Sequence, residues 1–229
     1  MAAIGPTCIM MQLAFDYPGE EGRRADAPPT PTSHVMWASW PERFANLERV
    51  TGRPSYLKLE RDGWVTGAWV LGPSYKRRVP YHGAYPGNLL RRIDAVFFDR
   101  QRVLHVFSGM VDTAAFPGDT LDINPAVNPT YCVDAVTCPG VPLDQYDFAL
   151  CDPPYTDADA AIYGTRPICR SRVLRTLIHG IRPGGFVVWL DEVTPSYKKD
   201  WPIKWEAIIA ISTSHGHRTR ALFVYRKTA

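Results

Sequence analysis

The 229-residue chain lacks the features that mark membrane-spanning, secreted and zinc-binding proteins. No apolar run reaches the roughly 20 residues that a helix needs to cross a bilayer. The first fifteen residues, MAAIGPTCIMMQLAF, have no basic segment of the kind that opens a secretory signal peptide. The five cysteines form no CxxC pair and the histidines have no metal-ligand neighbours, which argues against a disulfide framework or a metal site. We therefore expect an intracellular, cytoplasmic protein without a metal ion or a membrane contact.

A large excess of one charge is also missing. Lysine and arginine number 26 against 23 aspartates and glutamates, for a formal net charge of +3. The basic residues are clustered, however, at 76–78, 91–92, 166–175 and 215–220. Clusters of this kind suit a polyanionic partner such as nucleic acid, although a run of charge is more often a solvated face.

The composition changes twice along the chain. The stretch DYPGEEGRRADAPPTPTS is rich in proline, glycine and charge, which predicts a mobile tail over residues 1–33. Residues 34–80 predict a short helix and then a β-hairpin centred on Asp62-Gly63. We assign residues 81–229 to one further domain, which opens with an amphipathic helix in NLLRRIDAVFF.

Seven short apolar runs in this domain end in glycine, proline or a polar residue. Continuous apolar runs indicate strands buried on both faces, and hence an α/β fold with a mostly parallel sheet and packed helices. Only about a dozen residues separate Gly109 from Asp122, and Asp122 from Asp134, so the helices there must be very short or absent. The predicted strands are VLHVFSG (103–109), TLDIN (120–124), YCVDA (131–135), FALCDPPY (148–155), GFVVWLDEV (185–193), EAIIAISTS (206–214) and RALFVYR (220–226).

Four of these runs end in a small or acidic residue, namely Gly109, Asp122, Asp134 and Asp152. Ligands of parallel sheets bind outside the carboxyl ends of the strands, so these residues predict a binding site. Gly109 permits a tight turn against a ligand, and Asp122 stands where nucleoside-binding sheets place an acid on ribose hydroxyls. Asp134 is placed to accept a hydrogen bond from an adenine amino group. Either acid fits the role of a helix N-cap or a loop residue equally well.

The segment DPPY follows the fourth run. Pro153 and Pro154 fix φ and have no N–H, so the backbone is stiff and its carbonyls are free to accept hydrogen bonds. Asp152 adds a carboxylate acceptor, and Tyr155 adds a flat apolar ring. Together they would accept both hydrogens of an NH2 group and stack on the ring that bears it. The alternative is a proline-terminated strand with a capping aspartate and a packed tyrosine.

DPPY after an apolar strand, downstream of VFSG, resembles the amino-methyltransferases among the class I S-adenosylmethionine-dependent enzymes. The similarity is greatest to the N6-adenine DNA methyltransferases, whose signature is Asp/Asn-Pro-Pro-Tyr/Phe. DPPYTDADAAIYG also resembles small methylases of phages and mobile elements. The resemblance covers residues 80–227 and implies a Rossmann-like sheet of seven strands, the last antiparallel, with shortened helices. The sequence departs from the family at His105, which occupies the acid position of the first motif, and at Met110-Val111 after its glycine.

The resemblance also implies roles for individual residues. Asp152 and a carbonyl of Pro153 or Pro154 would hold an exocyclic amine, while Tyr155 would stack on its base. PYHGAYPGNLLRRI is similar to the family's segment that closes over the methionine end of the cofactor. The residues implied to bind S-adenosylmethionine are Tyr81, His82, Gly83 and Tyr85 in that segment, Phe107, Ser108 and Gly109 in VFSG, and Asp122, Ile123, Asp134 and Ala135 at the next two strand ends.

The activity implied is methylation of the amino group of a nucleobase, with N6 of adenine in DNA as the first candidate. An RNA base amine (guanine-N2 or adenine-N6), cytosine-N4 in DNA, and a non-catalytic methyltransferase-like subunit that binds nucleic acid remain open. No insert resembles a target-recognition domain, so sequence readout would come from residues 34–80, the loop after Tyr155, or a specificity or dimer partner. The compartment implied is the cytoplasm of a bacterial or phage-infected cell. The residues expected to contact nucleic acid are Arg166, Arg170, Arg172, Arg175, His215, His217, Arg218 and Arg220.

Overall fold

Short apolar runs form the strands of one sheet, and amphipathic segments form the helices on its faces. The computed structural model describes residues 37–72, 85–86, 88–163, 165, 167–213 and 219–228. Within these residues the helices are α1 (Trp40–Thr51), α2 (Leu89–Val96), α3 (Asp157–Ile162) and α4 (Arg170–Gly180). The strands are β1 (Leu57–Leu59), β2 (Val65–Val70), β3 (Val103–Val106), β4 (Asp119–Asp122), β5 (Tyr131–Cys132), β6 (Phe148–Cys151), β7 (Phe186–Asp191), β8 (Ile203–Ser212) and β9 (Arg220–Lys227).

The sheet has the topology predicted for the domain. Its strand order is β1-β2-β8-β9-β7-β6-β3-β4-β5. Strands β3 to β7 run parallel to their neighbours in this group, and β9 lies antiparallel between β7 and β8. The seven predicted strands are therefore adjacent in space, with the last one reversed, as in a Rossmann-like methyltransferase sheet. This confirms the predicted fold class.

The strand count is nine in the described residues rather than seven, because the N-terminal hairpin joins the same sheet. Strand β2 pairs in parallel with β8 from Val65↔Ala207 to Val70↔Ser212. Val65 and Trp69 lie on the same side of β2 and are both fully buried, so the hairpin extends the core rather than forming a separate layer. The sequence predicted the hairpin but did not predict that it pairs with β8.

The connections between strands are short, as the spacing of the aspartates predicts. Residues 107–118, between β3 and β4, contain no α-helix. Between β4 and β5 there is one 3-10 turn, Pro125–Val127. The link from β7 to β8 also lacks a helix, and its Pro195 carbonyl accepts a hydrogen bond from the buried Tyr225 hydroxyl at 3.2 Å. In these connections loops take the place of crossover helices.

The core has two halves, one on each face of the sheet. In β6, Phe148 and Leu150 join the cluster under α1 and α2, whereas Ala149 and Cys151 join the cluster under α4. This alternation follows from the two-residue period of a strand. The predicted helix in NLLRRIDAVFF is confirmed as α2, with Leu89 and Ile93 fully buried.

Among the described residues, no helix is both long enough and apolar enough to cross a membrane. The predicted domain boundaries after residues 33 and 80 lie outside those residues and stay predictions.

Candidate functional site

A cavity of about 1080 Å³ opens at the carboxyl ends of β3, β4 and β6. It lies where parallel sheets bind their ligands. The strand ends that the sequence singled out all contribute to its wall, together with the DPPY segment and the start of α4. The predicted site residues that line it are Phe107, Gly109, Asp122, Ile123, Asp134, Ala135, Asp152, Pro153, Pro154, Tyr155, Arg172 and Arg220.

The turn after β3 is strained. Phe107 has φ of 58°, in the left-handed region that non-glycine residues rarely adopt, and Gly109 follows with φ of 48°. Strain of this type occurs at ligand sites, where the surrounding structure holds it in place. Here the Ser108 N–H donates to the Leu121 carbonyl at 3.1 Å. Within the described residues the Ser108 hydroxyl is buried without a hydrogen-bond partner, and Ser108 does not line the cavity.

Asp122 connects this turn to the end of β4. Its Oδ2 accepts a hydrogen bond from the Gly109 N–H, and its Oδ1 accepts one from the Asn124 N–H, both at 2.9 Å. The two bonds fix the carboxylate at the cavity wall. The next residue, Ile123, leaves 54% of its surface exposed and offers the cavity an apolar face.

Asp134 caps a turn. Its Oδ1 accepts from the Val136 N–H at 2.8 Å, and its carbonyl accepts from the N–H groups of Thr137 and Cys138. Of the two roles that the sequence left open, the structure therefore shows capping, and the contact with an adenine amino group stays a prediction. The Thr176 hydroxyl of α4 donates to the Val136 carbonyl at 2.6 Å, which ties this turn to the helix.

Asp152 lies half-buried at the end of β6, with one carboxylate oxygen accepting a hydrogen bond from the Tyr155 hydroxyl. Burial raises its pKa to about 6, and the negative charge of Asp191 adds to the rise. The Tyr155 hydrogen bond and the positive charge of Arg220 act in the opposite direction. Burial and the neighbouring Asp152 in turn raise the pKa of Tyr155. The carboxylate thus has an environment unlike that of an exposed capping residue.

Two arginines hold Tyr155. Arg220, the first residue of β9, donates from Nη1 to the Tyr155 hydroxyl at 3.1 Å, and its guanidinium carbon lies 5.7 Å from the centre of that ring. Arg170, the first residue of α4, donates from Nη2 to the Tyr155 carbonyl at 2.6 Å. Two residues predicted to bind nucleic acid therefore contact the DPPY segment.

Arg170 also has a structural role within the protein. Its Nε donates to Asp191 Oδ2 at 2.7 Å, and Asp191 is fully buried at the end of β7. The Arg170 side chain keeps 23% of its surface exposed, and its contact with a phosphate stays a prediction. Asp191 was missed at the sequence level, although it ends the predicted strand in WLDEV just as Asp152 ends the preceding one.

Arg172 and Arg175 differ from Arg170 because they are exposed on α4. With Val136, Thr176 and His179 they line a shallow groove of about 340 Å³. Arg172 also lines the main cavity, so this basic groove continues outward from it.

Two other predicted positions lie behind the cavity wall. The Tyr85 ring packs against the core on the α2 side. Within the described part of the chain its hydroxyl is buried without a partner, and burial, reinforced by the charge of Asp152, raises its pKa. His105 is fully buried with Nε2 3.0 Å from the Phe116 carbonyl, and burial lowers its pKa to about 4. The histidine at the motif's acid position therefore serves core packing as a neutral side chain.

Seven predicted site residues lie outside the described residues: Tyr81, His82, Gly83, Arg166, His215, His217 and Arg218. Over the described part of the chain, no group of three or more His, Cys, Asp or Glu side chains is arranged to hold a metal ion.

No protein-family model matches the chain, and no curated protein matches its sequence. Solved structures do match its fold. TrmN from Thermus thermophilus is 18% identical with a TM-score of 0.40, over 55% of this chain and 43% of TrmN. The N-methyltransferase NodS from Bradyrhizobium japonicum is 10% identical with a TM-score of 0.38, over 57% and 87%. CalS10, an amino pentose methyltransferase from Micromonospora echinaspora solved with S-adenosylmethionine bound, is 17% identical with a TM-score of 0.31, over 62% and 75%.

The match thus spans less than half of TrmN. At these identities and TM-scores, the likeness gives no information on substrate, and the functional argument depends on the site itself.

Proposed function

We propose that this protein is an S-adenosylmethionine-dependent methyltransferase that modifies the exocyclic amino group of a nucleobase, with N6 of adenine in DNA as the first candidate. One observation carries the proposal. The Asp152 carboxylate and the donor-free Pro153-Pro154 backbone share a single cavity with the strained turn after β3 and with Asp122. The same cavity therefore offers an amine-binding rim and the acid expected for a nucleoside cofactor.

The residues present fit S-adenosylmethionine. Asp122 supplies carboxylate oxygens suited to ribose hydroxyls, and the Ile123 side chain and the wall at Ala135 supply apolar surface suited to adenine. A cavity of about 1080 Å³ is at the upper end of the size of small-molecule sites, roughly 300–1,000 Å³, which leaves room for a second group beside the cofactor. When bound, the cofactor supplies an electrophilic methyl group on a positively charged sulfur.

The chain's own part is to hold and orient the amine. Asp152 accepts one N–H of the NH2 group, and a carbonyl of the two prolines accepts the other. Because both hydrogens are held, the nitrogen lone pair is directed away from them and toward the methyl donor. The methylated nitrogen carries a positive charge and releases its proton readily, so the site needs no strong general base. The ring of Tyr155 lines the cavity and provides a stacking surface for the base.

The proposed partner is a nucleic acid whose target base leaves the helix stack. A base paired in a duplex cannot reach a half-buried carboxylate, so it must be flipped out or already single-stranded. The basic groove at Arg172 and Arg175 offers contacts for the phosphates beside that base. We place the protein in the cytoplasm of a bacterial or phage-infected cell, with a specificity or dimer partner as one source of sequence readout.

An RNA base amine is the second candidate, because the amine-binding rim has no feature that distinguishes ribose from deoxyribose in the polymer. A non-catalytic subunit that binds nucleic acid is the third, and the neutral, buried His105 at the acid position of the first motif favours it.

Incubation with labelled S-adenosylmethionine and a panel of single- and double-stranded DNA and RNA tests the proposal. We expect label in DNA and, after digestion, in the N6-methylated deoxyadenosine. Label in an RNA nucleoside would select the second candidate. Calorimetry with S-adenosylmethionine tests the third candidate, the non-catalytic subunit. A subunit that does not bind the cofactor gives no heat of binding and transfers no label to any polymer.

A further inference from the structure

The DPPY segment has few backbone donors with which to anchor itself. Two of its four residues are prolines, and the Asp152 N–H makes only a long bond of 3.4 Å to the Val106 carbonyl. A strand end of this kind would be free to shift unless side chains hold it. The Tyr155 hydroxyl contacts Asp152 and Arg220, and the backbone at this end of the segment is held by Arg170, whose Nη2 donates to the Tyr155 carbonyl at 2.6 Å.

Arg170 is itself fixed in place. It is the first residue of α4, and the buried face of that helix, Val173, Leu174 and Leu177, packs in the core beside β7. The Arg170 Nε and Nη2 both donate to the Asp191 carboxylate, at 2.7 and 3.2 Å. A planar guanidinium with two bonds to one carboxylate has a fixed direction.

Asp191 is built into the end of β7. It is fully buried and accepts hydrogen bonds from the Trp189 indole at 3.1 Å and from the N–H groups of Glu192 and Val193 at 2.7 and 3.3 Å. Burying an ionised carboxylate is costly unless its hydrogen-bonding capacity is satisfied, and the bonds to Asp191 satisfy it. The Arg170–Asp191 pair joins the end of β7 to the end of the DPPY segment, which follows the neighbouring strand β6.

We propose that Arg170, anchored by Asp191, is a positioning residue that locks the Tyr155 carbonyl and so aims the Asp152 carboxylate and the proline carbonyls at the substrate amine. This inference rests on the proposed function for its catalytic consequence, but the lock itself is a property of the fold.

The test uses Arg170→Ala and Asp191→Asn in the full chain, with Arg182→Ala as the matched control. Arg182 lies just beyond the other end of α4 and contacts the Asp144 carbonyl and the Gln101 side chain, outside the proposed machinery. The first readout is hydrogen exchange of the backbone amides of residues 155–160. We expect faster exchange there in both variants and not in the control, while the amides of β6 and β7 keep wild-type exchange and so report an intact fold.

The second readout is methyl transfer. We expect Arg170→Ala to lower the rate about 100-fold, because a displacement near 1 Å costs that much in a positioned reaction, with the affinity for S-adenosylmethionine changed less than about twofold. Added guanidinium chloride at millimolar concentration should restore part of the rate and part of the exchange protection to Arg170→Ala, and none to Asp191→Asn. Arg170→Lys keeps the positive charge and can form one hydrogen bond, to Asp191 or to the Tyr155 carbonyl. Its rate should therefore lie between those of wild type and Arg170→Ala.

The outcomes separate the two proposals. Unchanged exchange at residues 155–160 in Arg170→Ala would overturn the lock, whether or not the protein is an enzyme. Faster exchange with an unchanged transfer rate would overturn the positioning role. If wild type transfers no methyl group to any polymer, the proposed function fails, while the exchange experiment still decides the lock.

Discussion

Asp152 combines an acceptor role with an unusual environment, and this determines how activity should depend on pH. In the proposed mechanism the carboxylate accepts an amine hydrogen strongly when it is ionised and more weakly when it is protonated, and burial raises its pKa to about 6. Above that pH the ionised form predominates, and below it the site is progressively protonated. We therefore expect the acid limb of the rate profile at a higher pH than an ordinary aspartate, with a pKa of about 3.9, would give.

We predict that the transfer rate under saturating cofactor is flat above about pH 7 and falls about tenfold per pH unit below about 6, since a single protonation removes the negative charge that strengthens the hydrogen bond to the amine. Tyr155→Phe removes the hydrogen bond that lowers the Asp152 pKa, so the midpoint of its profile should move upward. Initial rates from acid to mildly alkaline pH measure both. A Tyr155→Phe midpoint at or below the wild-type value would contradict this account of the carboxylate.

At the scale of elements, α1 is attached to the sheet through a buried charge. Arg43 is 1% exposed and forms two hydrogen bonds of 2.8 Å to Asp99, just beyond α2, and one of 2.6 Å to the Val96 carbonyl. Its guanidinium carbon also lies 5.2 to 5.9 Å from four ring centres. These rings belong to Trp37, Trp40, Phe97 and Phe186. This one side chain therefore joins α1 to the segment after α2 and to the aromatic core over β7.

We predict that Arg43→Ala lowers the free energy of unfolding by about 3–5 kcal/mol, because it leaves the Asp99 carboxylate without its partner in a largely buried site. Lys58→Ala is the control: it breaks the exposed pair with Glu60 and should cost about 0–1 kcal/mol. Urea denaturation measures both. Equal losses in the two variants would show that Arg43 contributes no more than a surface residue.

Much of the fold was predictable at this scale because each strand is a short apolar run with a clear stop. FALC followed by Asp-Pro-Pro, and FVVWL followed by Asp, show their strand ends directly. The short spacing between Asp122 and Asp134 correctly predicted that no α-helix lies between β4 and β5. Pairings between distant segments were not predictable: β2 with β8, Arg170 with Asp191, and Arg220 with Tyr155 depend on the tertiary arrangement. For that reason the sequence did not show that Arg170 and Arg220 contact the DPPY segment.

At the scale of the whole molecule, the cavity at the carboxyl ends of the strands lies next to the basic groove of α4. Arg172 lines both. The α4 face of the sheet is opposite the face that packs α1 and α2, so charges on α1 are a natural control for those on α4.

We predict that Arg172→Gln with Arg175→Gln weakens binding to single-stranded DNA and reduces the slope of log K against log salt by about 1.4, because each arginine would neutralise roughly one phosphate and each phosphate of a single strand contributes about 0.7 to the slope. Arg49→Gln on α1, exposed and on the opposite face, should change neither quantity. Fluorescence anisotropy with a labelled single strand at several salt concentrations measures both. An unchanged slope in the double variant would remove the groove from the binding surface.

The most direct test of the central claim is single-turnover methyl transfer by Asp152→Ala, with cofactor affinity measured in parallel by calorimetry. If the rim at the end of β6 holds the target amine, the rate falls by about 10²- to 10³-fold or more, and the affinity for S-adenosylmethionine stays within a few-fold of wild type. A wild-type rate in this variant, with the same affinity, would contradict the account.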